Sequence, residues 1–302
     1  MNVPAAPAAA VVSSRIKLAG APITWGVCEV PGWGRQLDRD QVLAEIAAAG
    51  LTATELGPRG FLPDDPSELR RQLARHRLGL VAGFVPAVLH VESRLAAELA
   101  AVEDSARTLA GAEVLVLAAE TGDVGYESSR ALGDAEWETL RRGIAGVEEI
   151  GRRHGLVVAF HPHYGTLIER EPEIRRLLRS TSVPLCLDTG HLMVAGADPV
   201  EIARGALGRI AHVHLKDVDA AMAARVRAGE IGYRDAVSHG LYRPLGDGDV
   251  DIVGIVRLLL DSGYDGWFVI EQDLVIDGDG PHAAPLDSAL RSVRFIRAAA
   301  AE

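Results

Sequence analysis

The chain has 302 residues, 48% of them hydrophobic, and a formal net charge of −11. An acidic balance argues against a nucleic-acid binder, which needs basic surface to neutralise phosphates, and no apolar run approaches the ~20 residues that span a bilayer. The only two cysteines, Cys28 and Cys186, sit in separate apolar stretches. The expectation is a pair of buried thiols in a reducing cytoplasm rather than a disulfide framework.

Residues 1–15 are Ala- and Pro-rich but lack a charged segment ahead of their apolar part. They read as a flexible N-terminal tail rather than a secretory signal, followed by one domain over 16–302. From Lys17 onward short apolar runs alternate with amphipathic segments. Strands are predicted at 17–24, 52–56, 79–84, 113–118, 156–161, 184–189, 210–215 and 267–271. Helices are predicted at 38–50, with Asp38 as cap and Gly50 as stop, and at 65–79, 93–111, 136–155, 198–208, 251–263 and 286–300. Eight strand–helix units without interruption point to parallel strands closed into a single (β/α)8 TIM barrel. The loop after Thr24 lacks the glycine pattern of a dinucleotide fold. The long segment 216–248 is read as a lid over the active face or as a contact in a homo-oligomer.

Polar, metal-competent residues stand where several of these strands end. Asp188 ends the sixth strand, His214 the seventh and Glu271 the eighth, and the fifth runs out through His161 and His163 to Glu169. Strand C-termini of a barrel converge on one face, so residues far apart in sequence meet there. Mixed imidazole and carboxylate ligation without thiolate suits an open, catalytic divalent-metal site. His212 shares a strand face with His214 and reads as a satisfied core histidine or an outer partner of the site. Lys216, one step further along that face, is a candidate acid or base. His191, Trp25 and Glu55 are candidates for substrate contact, Trp25 as an apolar wall and Glu55 as a partner for hydroxyls. Gly246-Asp247-Gly248 reads as loop punctuation.

The order HPHYGTLIE, CLDTGH, HVHLKD, PLGDGDVD and VIEQD resembles the xylose isomerase-like barrel superfamily of sugar isomerases and epimerases, over 17–300. The opening APITWGV and the following TELGP resemble, more narrowly, the inosose (2-keto-myo-inositol) dehydratases. This resemblance implies a metal-dependent carbon–oxygen lyase acting on a small sugar or cyclitol. Its metal set would be Asp188, His214, Glu271 and a fifth-strand ligand, with Mn²⁺ or Co²⁺ first and Zn²⁺ or Mg²⁺ as alternatives. Many relatives end the fifth strand with glutamate, where this chain has His161. Glu169 is therefore assigned as fourth ligand, with His161 as its alternative, and His161, His163 and Lys216 take the proton transfers. Loss of that glutamate disfavours proton exchange between two carboxylates and favours elimination. An isomerase or epimerase on the same metal site is the runner-up. An endonuclease IV-like nuclease stands behind it, and a sugar-binding barrel without catalysis is the last alternative.

Overall fold

The computed structural model describes residues 16–300 apart from 124, 128 and 278–283. The tail expected over 1–15 lies outside the described residues. Eight parallel strands close into a barrel in the order β1-β10-β7-β6-β5-β4-β3-β2. They are β1 (Lys17–Gly20), β2 (Ala53–Glu55), β3 (Gly79–Ala87), β4 (Val114–Ala119), β5 (Val157–Phe160), β6 (Leu185–Asp188), β7 (Ile210–Leu215) and β10 (Trp267–Ile270). Helices α1 (Arg39–Ala48), α2 (Pro66–Arg75), α3 (Leu95–Thr108) and α4 (Asp134–His154) occupy the predicted places. Asp38 and Asp65 cap the first two through backbone N–H groups of the first turn. No helix among the described residues is long and apolar enough to cross a membrane.

Three local expectations change. The first strand stops at Gly20 and continues as a 3-10 turn over Pro22–Trp25, because the ring of Pro22 fixes φ and removes a ladder donor. A helix not anticipated from sequence, α5 (Glu171–Ser180), follows the fifth strand and buries Ile174 and Leu177, three residues apart on one face. The segment 216–248 is structured throughout. Its ends pair as antiparallel strands β8 (Asp217–Val218) and β9 (Tyr242–Arg243), and two short helices, Ala220–Arg227 and Tyr233–Ser238, lie between them.

The period-two alternation of the strands sorts their side chains into two sets. Large residues such as Leu115, Leu117, Phe160, Leu187, Val213, Leu215 and Phe268 pack outward against the helices. Inside the barrel the filling is small: Ala19, Ala53, Val116, Ala159, Cys186 and Val269 form a separate cluster. The next inward position along five of these strands is titratable. Ala53 leads to Glu55, Ala159 to His161, Cys186 to Asp188, His212 to His214 and Val269 to Glu271. A single parity rule therefore carries five polar groups to the same mouth.

Asp217 holds the insert in place. Its Oδ1 accepts the backbone N–H groups of Val218 and Val250, both at 3.0 Å, and its Oδ2 those of Gly246 at 2.8 Å and Gly248 at 3.0 Å. A Cβ on Gly248 would lie 2.3 Å from Asp217 Oδ1, which gives that glycine of the 246–248 turn a steric reason. Asp217→Ala removes the acceptor of four N–H groups, two of them in buried hydrogen bonds, and is expected to cost about 1–3 kcal/mol, read as a lower urea midpoint. A loss under about 1 kcal/mol would show that water replaces the carboxylate there.

Candidate active site

Asp188 is the last residue of β6 and the N-cap of the short helix Thr189–Val194, which the sequence reading folded into its strand and loop. Its Oδ1 accepts the N–H groups of Gly190 at 2.9 Å and His191 at 2.8 Å. That leaves Oδ2 facing His161 Nε2 at 3.2 Å, Lys216 Nζ at 3.3 Å and His214 Nδ1 at 3.4 Å. Glu271 Oε2 approaches two of these groups, 3.4 Å from His214 Nδ1 and 3.0 Å from Lys216 Nζ. Asp188, His214 and Glu271 thus bring three ligand atoms close enough to share one ion. His161 stands with Asp188 and His191 in a second such group.

Glu169 is not brought into this cluster. It is buried in the turn after β5, where Oε2 accepts the N–H of Gly165 at 2.8 Å and Oε1 accepts the hydroxyl of Ser129 and faces Arg170. The turn folds back on itself: His163 N–H donates to the carbonyl of Ile168. The carboxylate is consumed in closing that turn. Trp25 is likewise outside the cavity, fully buried with its indole N–H donating to Glu45. The aromatic walls of the cavity come instead from Trp33, Phe84, Tyr126 and Tyr233. Glu55 borders the cavity but its Oε1 is engaged by His212 Nε2 at 2.7 Å and His214 Nε2 at 3.0 Å.

Lys216 lies at the hub of a ring of contacts that the sequence reading missed. Its Nζ is 2.9 Å from His191 Nε2, and His191 Nδ1 is 3.3 Å from the hydroxyl of Tyr242. The hydroxyls of Tyr242 and Tyr233 meet at 3.0 Å, and Tyr233 donates to Asp273 Oδ2 at 3.1 Å. Asp273 Oδ1 returns to Lys216 Nζ at 2.9 Å, a charge contact rather than an aligned hydrogen bond. Both tyrosines come from the 216–248 insert, so that segment builds the site. Gly190 makes the close packing feasible, since a Cβ there would lie 2.5 Å from that of Lys216. Asp273 was legible in principle: it follows Glu271 by two, the same parity that singled out Lys216. Nothing in the sequence marks Tyr233 or Tyr242.

Electrostatics divide these groups by role. Burial disfavours the charge on Lys216, but Asp188, Asp273 and Glu271 outweigh it and hold the ammonium protonated well above the usual lysine range. Burial keeps His163 neutral to well below the usual imidazole value. Its Nδ1 meets the carbonyl of Tyr164 at 2.7 Å, so Nδ1 carries the hydrogen and Nε2 keeps its lone pair. Burial also works against Asp188, yet Lys216, His191 and His161 keep it ionised. Glu271 has less support: burial pushes it up to about 7 despite His214 and Lys216. All these groups border or underlie a cavity of about 320 Å³.

A proton on Glu271 competes with any cation held there. Folded-state protonation near pH 7 therefore predicts that affinity for Co²⁺ weakens as pH falls through 7, by up to about tenfold per unit for one proton. Calorimetry in buffers of different ionisation heat should show proton release on binding at pH 6.5. Binding that is independent of pH between 6 and 8 would place the ion away from Glu271.

Comparison with known proteins agrees with this architecture. The model of the xylose isomerase-like TIM barrel family matches residues 43–299. The chain is 35% identical to an inosose dehydratase of Geobacillus kaustophilus (strain HTA426), over 84% of this chain and 86% of that protein. It is 30% identical to one of Geobacillus thermodenitrificans (strain NG80-2), over 94% and 97%. Among solved structures, an L-ribulose 3-epimerase superposes with a TM-score of 0.69 at 17% identity, covering 94% of both chains. The probable 3-DHS dehydratase AsbF of Bacillus anthracis gives 0.69 at 15%, over 93% and 98%. The IOLI protein, whose structure holds a zinc atom, gives 0.67 at 13%, over 94% and 98%. At these identities the structural likeness is one of fold. The chain belongs to the xylose isomerase-like TIM barrel family, in the part of it that holds the inosose dehydratases.

Proposed function

We propose that the protein is a metal-dependent dehydratase that removes water from 2-keto-myo-inositol or a close cyclic polyhydroxy ketone. The observation that carries this reading is the meeting of three chemical functions at one cavity. They are a carboxylate–imidazole donor set, a neutral imidazole with a free lone pair, and an ammonium group. The inosose dehydratases to which the chain is similar support the substrate class.

The donor set fits a divalent ion. His214 Nδ1 is buried without a hydrogen-bond partner and faces two carboxylate oxygens at 3.4 Å, an arrangement relieved by a shared cation. Asp188, His214 and Glu271 would hold it, with His161 in the fourth place that the sequence reading gave to Glu169. Mixed nitrogen and oxygen donors suit Mn²⁺ or Co²⁺, with Zn²⁺ and Mg²⁺ behind them. When bound, the ion would polarise the ketone oxygen and, by its charge, lower the proton affinity of Lys216.

The protein's own groups then divide the proton transfers. His163 Nε2 takes the proton from the carbon beside the carbonyl, its readiness set by the Nδ1 contact to Tyr164. The electron pair left on that carbon forms the new double bond as the hydroxyl on the next carbon departs. Lys216 supplies the proton that converts the departing hydroxyl to water. Tyr233, Tyr242 and Asp273 hold the lysine in place, and Trp33, Tyr126 and Phe84 wall the cavity. The expected setting is the cytoplasm, supported by two free cysteines, and the partner the site calls for is a small sugar or cyclitol substrate.

An epimerase would need a second base on the opposite face of the substrate. The fifth-strand position that would supply a carboxylate holds His161, which favours elimination. Mass spectrometry of metal-loaded protein with 2-keto-myo-inositol should show loss of one water; an isomer of unchanged mass would move the protein to the epimerases. His163→Gln and Lys216→Met should each lower kcat by about 10²–10⁴-fold. Full activity in either removes its assigned role. The acid limb of kcat/KM should lie below the usual imidazole value, because burial holds His163 neutral down to lower pH. An acid limb that His163→Gln leaves in place would belong to another group. Tyr233→Phe breaks the ring around Lys216 and is expected to cost about 10–100-fold in kcat.

A further inference from the structure

Glu55 crosses the barrel from β2 to β7, and the small inward residues Ala19, Ala53 and Val269 leave it the room. It is 3% exposed, and one oxygen, Oε1, takes both His212 Nε2 at 2.7 Å and His214 Nε2 at 3.0 Å. A carboxylate oxygen only accepts, so both Nε2 atoms carry hydrogen. A neutral imidazole has one N–H, so with hydrogen fixed on Nε2 it is Nδ1 that is left to bind a cation in place of a proton. That is the atom found without a hydrogen-bond partner, facing Asp188 Oδ2 and Glu271 Oε2.

We infer that Glu55, with His212 steadying it from the same strand as His214, is a positioning residue that selects the Nε2-protonated form of His214 and thereby presents Nδ1 to the cation. The inference rests on the metal centre proposed above, and it replaces substrate contact as the role of Glu55. Imidazole ligands gain orientation and basicity when their other nitrogen donates to a carboxylate. Here the acceptor oxygen is shared by two histidines on alternate positions of one strand, so the carboxylate is fixed from two sides. Glutamine at position 55 keeps the shape but replaces the charged acceptor with a neutral amide, whose oxygen accepts more weakly and whose N–H₂ cannot accept from Nε2.

The test is a Co²⁺ titration of the metal-free full chain, followed by visible absorption, for the parent and for Glu55→Gln. The variant is expected to bind about 10–100-fold more weakly, while its metal-free melting temperature stays close to the parent's. Unchanged Co²⁺ affinity and spectrum, with only KM for 2-keto-myo-inositol raised, would make Glu55 a substrate contact and overturn the inference. Should Glu55→Gln not fold, ¹⁵N-histidine spectra of the Zn²⁺-loaded parent decide the matter. They are expected to show His214 with hydrogen on Nε2 and the ion on Nδ1, and the reverse assignment overturns the inference. A parent that binds Co²⁺ more tightly than Glu55→Gln but does not convert 2-keto-myo-inositol would remove the substrate reading and support this one.

Discussion

Everything at the mouth of this barrel is arranged around the free oxygen of one carboxylate. Asp188 spends Oδ1 on two backbone N–H groups at the start of the helix Thr189–Val194, which fixes the side chain without help from the cavity. Oδ2 is then held at a set place, where His161, His214 and Lys216 all lie within 3.4 Å. Buried charge is tolerated only when it is paired. The site is therefore a balance of carboxylates against imidazoles and one ammonium, and a divalent cation would enter that balance in place of protons.

The small interior of the barrel is what makes this balance reachable. Alanine, valine and cysteine below the site leave room for Glu55 to span from one side of the barrel to the other. They also let inward residues of non-adjacent strands meet. The 216–248 insert completes the arrangement from above, anchored by Asp217 and delivering two tyrosine hydroxyls to the ring that ends on Lys216. It acts as part of the site, which is a fuller role than the lid or oligomer contact expected of a long loop.

The barrel itself was legible because its evidence is periodic. Alternation within LCLD, HVHLK and FVIE sets which side chains face inward, and five strands obey the same parity. Family resemblance then agreed with the pattern. Where the chain leaves the strands, parity stops helping. Glu169 sits only eight residues past His161, yet the intervening turn folds it against Gly165 and Ser129, a local closure that spacing alone does not reveal. Trp25 looked like the first residue beyond a strand, but Pro22 had already turned the chain into the core. Tyr233 and Tyr242 act across the fold, through partners 40 and 51 residues away in Asp273 and His191, and carry no local signature.

The account stands or falls on the ion held by Asp188, His214 and Glu271. Metal content by mass spectrometry, on parent and Asp188→Ala purified in parallel from medium supplemented with Mn²⁺ and Co²⁺, tests this most directly. The account predicts about one divalent ion per chain in the parent, as expected of an open catalytic site, and a trace in the variant. Equal stoichiometry in the two would contradict it and place the metal elsewhere in the molecule.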